Sequence, residues 1–192
     1  MIPLVNPDLN GQYIFVVENV FPNEHLEFLK NYFTADKLES AKTQSNIADD
    51  DEVRKTDIAW LDINDEATHS IYELLNNLVK YANDQHYHWN LQHLETVQYG
   101  EYGVGGHYKV HTDTGLHNPM GSNRKLSFSI LLNDDYEGGE LNIPGSPGQP
   151  DSFVPQTNSA LFFPSSMPHC VKPVTKGVRK SLVGWVHGPN FV

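Results

Sequence analysis

The sequence is short of several things, and each shortage excludes something. Cys170 is the only cysteine in 192 residues, so no disulfide can form within the chain and the fold must stand on packing, as in a reducing compartment. Basic side chains are scarce: 13 Lys and Arg face 24 Asp and Glu, a formal net charge of −11. Such a balance repels phosphate backbones, whereas nucleic-acid binders carry a basic patch, and neither DNA nor RNA is expected as a partner. No apolar run approaches the length that spans a bilayer, and the opening Met1-Ile2-Pro3-Leu4-Val5 has no basic region ahead of an apolar one. No internal repeat, low-complexity tract or composition break divides the chain. Its length suits one core, and a cytoplasmic protein with a single domain over residues 1–192 is expected.

The pattern of what is present predicts a mainly β protein of the α+β class. Tyr13 to Val20 is β-branched and aromatic and reads as a first strand, which Pro22 ends. Phe21-Pro22-Asn23 opens a helix to about Phe33, with Leu26, Leu29 and Phe33 on its buried face. Thr43 to Glu52 is polar, acidic and without periodicity, and reads as a loop. A strand over Val53 to Leu61 follows, and Asp65 starts a helix running to about Gln85 with Ile71, Leu74, Leu75 and Leu78 as its apolar stripe. Short strands punctuated by Gly and Pro are then predicted at 91–100, 106–113, 125–133, 139–143, 151–154, 159–164, 168–174 and 178–186. Many short strands with helices gathered on one side imply a sandwich or jelly roll with supporting N-terminal helices.

Among ten histidines, one stands in a spacing that carries chemistry. In a strand, side chains alternate faces, so His111 and Asp113 project to one side and can grip one ion, while Thr112 points away. A second imidazole from a distant strand would complete a 2-His-1-carboxylate facial triad, an arrangement that leaves coordination positions open for chemistry. A His-x-Asp pair alone is weak, because such pairs arise by chance. The second half of the chain supplies the partner: an apolar strand ending at Pro164, then His169, a turn at Gly177, and Arg179 ten positions after that histidine. A guanidinium matches a carboxylate bidentately and stays charged when buried, although an isolated Arg more often makes a surface salt bridge. Arg179, Ser181, Val183 and Trp185 share one strand face; Lys180, Leu182 and Val186 share the other.

The wording Tyr102-Gly-Val-Gly-Gly-His-Tyr108-Lys-Val-His111-Thr-Asp113, with His169 and Arg179 at that spacing, resembles the Fe(II)- and 2-oxoglutarate-dependent dioxygenases, and most closely their prolyl 4-hydroxylase branch. The resemblance covers residues 95–189. It implies a double-stranded β-helix, with His111, Asp113 and His169 as both metal ligands and catalytic centre. It further implies that Arg179 anchors the distal carboxylate of 2-oxoglutarate, that Ser181 assists, and that the Tyr102 hydroxyl reaches the cosubstrate. Fe(II) with 2-oxoglutarate and O2 as cosubstrates, and ascorbate binding, are implied with it. The implied reaction is oxidative decarboxylation to succinate and CO2 coupled to hydroxylation of a C–H bond, with a prolyl residue of a peptide or protein as first choice of substrate. One departure counts against a complete match: where several members place a tyrosine that helps hold 2-oxoglutarate, this chain has Leu131. Hydroxylation of another amino-acid side chain or of a small molecule stays open, as does a non-catalytic jelly-roll protein that only binds a ligand.

The remaining candidates read differently. His25-Leu-Glu27 lies on a helix, where i and i+2 diverge; His93-Leu-Glu95 lies on a strand but has no complementary segment as good as that of His111. His86 and His88 close a helix, and His107 and His117 flank the motif, where they read as surface residues or as lining of the cleft. Gly103, Gly105 and Gly106 fit a turn and not a phosphate loop, for no Gly-x-Gly-x-x-Gly precedes a helix. The acidic run Asp49-Asp50-Asp51-Glu52 precedes a strand and would suit a lid that attracts a basic substrate segment, or a plain solvated connector.

Overall fold

A computed structural model describes residues 13–41, 52–114, 122–143, 152–153 and 156–189. His117, Thr43–Asp51 of the acidic connection and both ends of the 151–154 strand lie outside the described residues. The chain begins with β1 (Phe15–Val17), helix α1 (Asn23–Tyr32) and β2 (Glu39–Ser40). After it come β3 (Arg54–Lys55), β4 (Asp57–Trp60) and α2 (His69–Ala82). The β-rich body follows with β5 (His93–Leu94), β6 (Gln98–Tyr102), β7 (His107–His111), β8 (Ser122–Leu131), β9 (Glu137–Gly138) and β10 (Leu141–Asn142). It closes with β11 (Ser152–Phe153), β12 (Ala160–Pro164), β13 (His169–Val171), β14 (Val174–Lys176) and β15 (Arg179–Pro189).

Two antiparallel sheets face each other. The larger runs β1-β12-β8-β15-β6-β4-β2, with β5 added to β15, and the smaller runs β11-β10-β13-β7-β3. This is the jelly-roll arrangement expected. Its long centre is the β8–β15 pair, which runs from Ser181 opposite Leu131 to Pro189 opposite Ser122 with one register shift between Val186 and His187. Alternation along these strands divides two environments. Phe128, Ile130, Leu182 and Tyr99 point outward, where they pack with Leu29, Ile71 and Leu75 of the helices in one apolar cluster. Ser127, Ser129, Ser181, Val183 and Gln98 take the opposite face, toward the smaller sheet. Each fully buried Leu, Ile or Phe of the outer layer contributes about 1.5–3 kcal/mol. Gly184 is required there, since a Cβ at that position would lie 2.2 Å from Cζ of Phe128.

Local signals account for most boundaries. The Pro22 carbonyl accepts from the His25 and Leu26 N–H groups as α1 begins, and the Asp65 side chain accepts from the Ala67 N–H at the turn leading into α2. The second helix departs from expectation at its end: α-geometry stops at Ala82 and a π turn continues over Asn83–Tyr87, with His88 left-handed. The first strand is shorter than expected, and 91–100 divides into β5 and β6. The 168–174 strand divides into β13 and β14 around Pro173, which has no N–H to donate to a ladder. No helix among the described residues is long and apolar enough to cross a membrane.

Candidate metal centre

Strand pairing brings the two histidines together: β13 lies antiparallel to β7 with His169 directly opposite His111. Asp113 follows just beyond β7, held where its N–H donates to the Ser165 carbonyl at 2.9 Å. The strand thus ends two residues earlier than predicted, and Thr112, expected to point away, also borders the cavity. His111 Nε2 lies 3.6 Å from Asp113 Oδ1, and His169 Nε2 lies 3.5 Å from Oδ2. One donor atom from each residue falls within 4.8 Å of the others, the one such His/Cys/Asp/Glu group among the described residues.

The orientation of the imidazoles is set by the backbone. Nδ1 of His111 lies 2.8 Å from the Lys109 carbonyl and Nδ1 of His169 lies 3.0 Å from the Met167 carbonyl. A carbonyl only accepts, so each Nδ1 carries the proton and each Nε2 presents its lone pair toward Asp113. Tyr108 stacks on His111 with ring centroids 3.5 Å apart and fixes that ring from outside. Asp113 is buried and receives the Ser127 hydroxyl at 2.7 Å, and Ser127 in turn meets Ser165 at 2.9 Å. Burial alone would raise the Asp113 pKa, but the neighbouring imidazoles of His111 and His169 and the hydrogen bond from Ser127 outweigh it and hold the carboxyl at about 2. Burial pushes His169 below the usual imidazole range, with His111 adding to that and Asp113 opposing it. A carboxylate and two imidazoles whose Nε2 atoms converge form a donor set that fits a divalent transition ion and leaves one side open.

The triad opens into a cavity of about 490 Å³ between the sheets. At its inner end Arg179 is 2% exposed, its Nη1 donating to the Ser181 hydroxyl at 2.8 Å and its guanidinium 5.5 Å from the Tyr102 ring centroid. Gly139, at φ +66°, leaves the room: a Cβ there would stand 3.0 Å from Cδ of Arg179. The guanidinium has no carboxylate in ion-pair range among the described residues, and its buried Nε has no hydrogen-bond partner. The surface salt bridge that a lone Arg suggests is therefore absent, and Arg179, Ser181, Val183 and Trp185 all line the cavity as the strand alternation predicts. Leu131 is buried opposite Ser181 and brings no polar group to it.

The other histidines separate from the site. His25 bonds Ser70 on α2. His107 lies by the carbonyls of Gly105 and Glu52. His93 stacks on His187, while Glu95 is engaged by His187 and by both Nε and Nη2 of Arg124 at 2.6 and 2.7 Å. Sequence reasoning missed Ser127, Tyr108, Arg54 and Arg124. Ser127 and Ser129 did carry a signal, since two serines alternating inside Leu126-Ser-Phe-Ser-Ile130 mark the polar face of an otherwise apolar strand.

The facing sheets of a jelly roll thus bring two imidazoles and a carboxylate to one open centre, a donor set that fits a metal ion, next to a buried arginine with no counterion among the described residues. Residues 97–187 match the family model of the 2OG-Fe(II) oxygenase superfamily. That superfamily is one of Fe(II)- and 2-oxoglutarate-dependent oxygenases, and the donor set of His111, Asp113 and His169 fits such an ion. Among relatives, a PKHD-type hydroxylase of Gloeothece citriformis is 43% identical over 98 residues, which cover 48% of this chain and 43% of the relative. Another from Picosynechococcus is 42% identical over 95 residues, covering 48% and 42%. The chain thus spans less than half the length of these curated relatives. Its fold is also that of a Pseudomonas putida prolyl-4-hydroxylase, with a TM-score of 0.74 at 21% identity over 95% of this chain and 96% of the other. A Trichoplax adhaerens prolyl hydroxylase, solved with a hypoxia inducible factor peptide fragment, gives 0.75 at 19% over 93% and 85%.

Proposed function

We propose that the chain is a 2-oxoglutarate-dependent dioxygenase that hydroxylates a C–H bond, with a prolyl residue of a peptide or protein as substrate, and that residues 1–192 act as one domain. In this reading His111, Asp113 and His169 hold Fe(II), which when bound supplies the coupling of 2-oxoglutarate decarboxylation and O2 to hydroxylation, with succinate and CO2 released. Arg179 receives the distal carboxylate of 2-oxoglutarate, Ser181 orients that guanidinium, and the Tyr102 ring walls the same end of the cavity. The sheets exclude water from the centre, while Ser127 and the two carbonyls at Nδ1 keep the three donors aimed inward. The observation that carries the reading is the juxtaposition, in one cavity, of a converging donor triad and a buried arginine with no counterion among the described residues. Names of similar proteins support the prolyl choice. Ascorbate as a further ligand and a cytoplasmic location, which suits a single cysteine, belong to the same proposal.

Anaerobic addition of Fe(II) and 2-oxoglutarate is expected to give a weak visible charge-transfer band, and O2 is then expected to yield succinate. His111→Ala, Asp113→Ala and His169→Ala should each abolish succinate while His93→Ala stays active. Absence of both band and succinate would leave only a ligand-binding protein. Full activity of His169→Ala with metal bound would remove that residue from the ligand set. The basic segment expected of the substrate rests on Asp49, Asp50 and Asp51, which lie outside the described residues, and on exposed Glu52, so it concerns chain flanking the reacting residue and not the cavity.

A further inference from the structure

The cavity wall holds more positive charge than the proposed chemistry uses. Among the described residues three guanidiniums line it, those of Arg54, Arg124 and Arg179, against one carboxylate, that of Asp113. Asp113 belongs to the donor triad. Arg179 is taken by the cosubstrate in the function proposed above. Arg124 is met by both oxygens of Glu95 and lies flat on Trp185, 3.9 Å from the ring centroid, so its charge is balanced within the protein. Arg54 is left over. No carboxylate lies in ion-pair range of it among the described residues, and its Nε is buried without a hydrogen-bond partner.

Arg54 is nevertheless held in place. Its Nη2 donates to Gln98 Oε1 at 2.8 Å, and its guanidinium lies 4.6 Å from the ring centroid of Tyr108, the tyrosine that also stacks on His111. A cation fixed by a neutral amide and an aromatic face is ordered without being neutralised, the state that suits an incoming anion. Sheet register separates it from the cosubstrate end. Gln98 pairs with Val183 and Tyr102 with Arg179, so Gln98 lies four strand positions, about 13 Å, from the inner arginine. Trp60, largely exposed, pairs with Gln98 on the outer side and puts this end of the cavity at its mouth.

We infer that Arg54, with Gln98 and Tyr108, is a subsite for a carboxylate that the substrate carries close to its reacting carbon. The carboxylate belongs either to an Asp or Glu side chain beside the target residue or to a chain terminus. This inference rests on the proposed dioxygenase reading for its assignment of Arg179, and its test is separable from that reading because it measures binding. The full chain, loaded anaerobically with Fe(II) and 2-oxoglutarate, is titrated calorimetrically with two sets of peptides. One set is blocked at both ends and carries a single Pro, with Asp or, in a twin, Asn placed at successive positions around it. The other set ends in Pro as free acid or as amide.

At least one acidic member is expected to bind about tenfold or more tightly than its neutral twin, and the set in which this occurs identifies the source of the carboxylate. The preference should vanish in Arg54→Met and survive in part in Arg54→Lys, with 2-oxoglutarate affinity unchanged in both. If no acidic member outbinds its twin, or if the preference persists in Arg54→Met, the subsite is refuted. Loss of the charge-transfer band in the unmodified protein would instead count against the dioxygenase reading, whatever the peptides do.

Discussion

Replacing Arg179 by Met tests the anion-binding end of the cavity in two opposite directions. The guanidinium is 2% exposed, it bonds Ser181 at 2.8 Å, and no carboxylate among the described residues faces it. A buried charge without a counterion contributes little or nothing to stability until its partner arrives, because its desolvation is not offset. Met fills a similar volume beside Tyr102 and forgoes the bonds to the Ser181 and Tyr136 hydroxyls, about 1 kcal/mol each. The cosubstrate-free variant should therefore melt within a few degrees of the unmodified protein, or above it. Binding should behave in the opposite way. Truncating one partner of a buried, hydrogen-bonded charge pair costs about 2–5 kcal/mol, which weakens 2-oxoglutarate by about thirtyfold to several thousandfold. At a concentration one hundred times the dissociation constant, 2-oxoglutarate stabilises the unmodified protein by about 2.7 kcal/mol, or about 5–10 °C for a chain of this size. The same concentration should stabilise Arg179→Met by less than about 1 kcal/mol. Thermal scans under argon with Fe(II), with and without cosubstrate, supply both readings, and Arg179→Lys should fall between. A wild-type cosubstrate shift in Arg179→Met would refute the anchor, and a large loss of stability without cosubstrate would show that the arginine is a structural residue.

Two further perturbations bear on the donor triad. Ser127→Ala removes the hydroxyl that bonds Asp113 Oδ2 at 2.7 Å, and it should weaken Fe(II) about tenfold to a hundredfold in anaerobic chelator competition while leaving the circular dichroism unchanged. Equal affinity would mean that the hydrogen bond does not orient the ligand. The metal-free protein should lose stability toward acid in two stages. His169 has a folded pKa below its unfolded value of about 6.5, so the unfolded chain takes up the proton first and stability falls as pH drops below that value. Asp113, held at about 2 against 3.8 unfolded, adds a second loss as pH falls through that interval, about 2–3 kcal/mol in all. Urea midpoints between pH 8 and 3 should show the first stage removed in His169→Gln; an unchanged profile would contradict the burial of a neutral imidazole there.

The order of residues along the chain was enough to indicate the class of fold and the three side chains that meet at one centre. Period-2 alternation and Gly or Pro punctuation show where strands begin and end, and a His-x-Asp spacing puts two donors within reach of one ion whatever the rest of the fold does. The faces of β15 were legible for the same reason, since Arg179, Ser181, Val183 and Trp185 can only share a side. Tertiary structure alone decided the rest. That His169 sits directly opposite His111 is a matter of register between strands 58 positions apart, and no local pattern encodes a register. Ser127 reaches Asp113 because β7 ends at His111 and the chain turns onto Ser165, which strand alternation does not foretell. The charge of the cavity was the least legible feature. The sequence as a whole carries a net charge of −11, yet among the described residues the wall around the triad holds three arginines to one acid, because net charge sums the solvated surface while a cavity takes its sign from the few side chains that alternation and pairing turn inward.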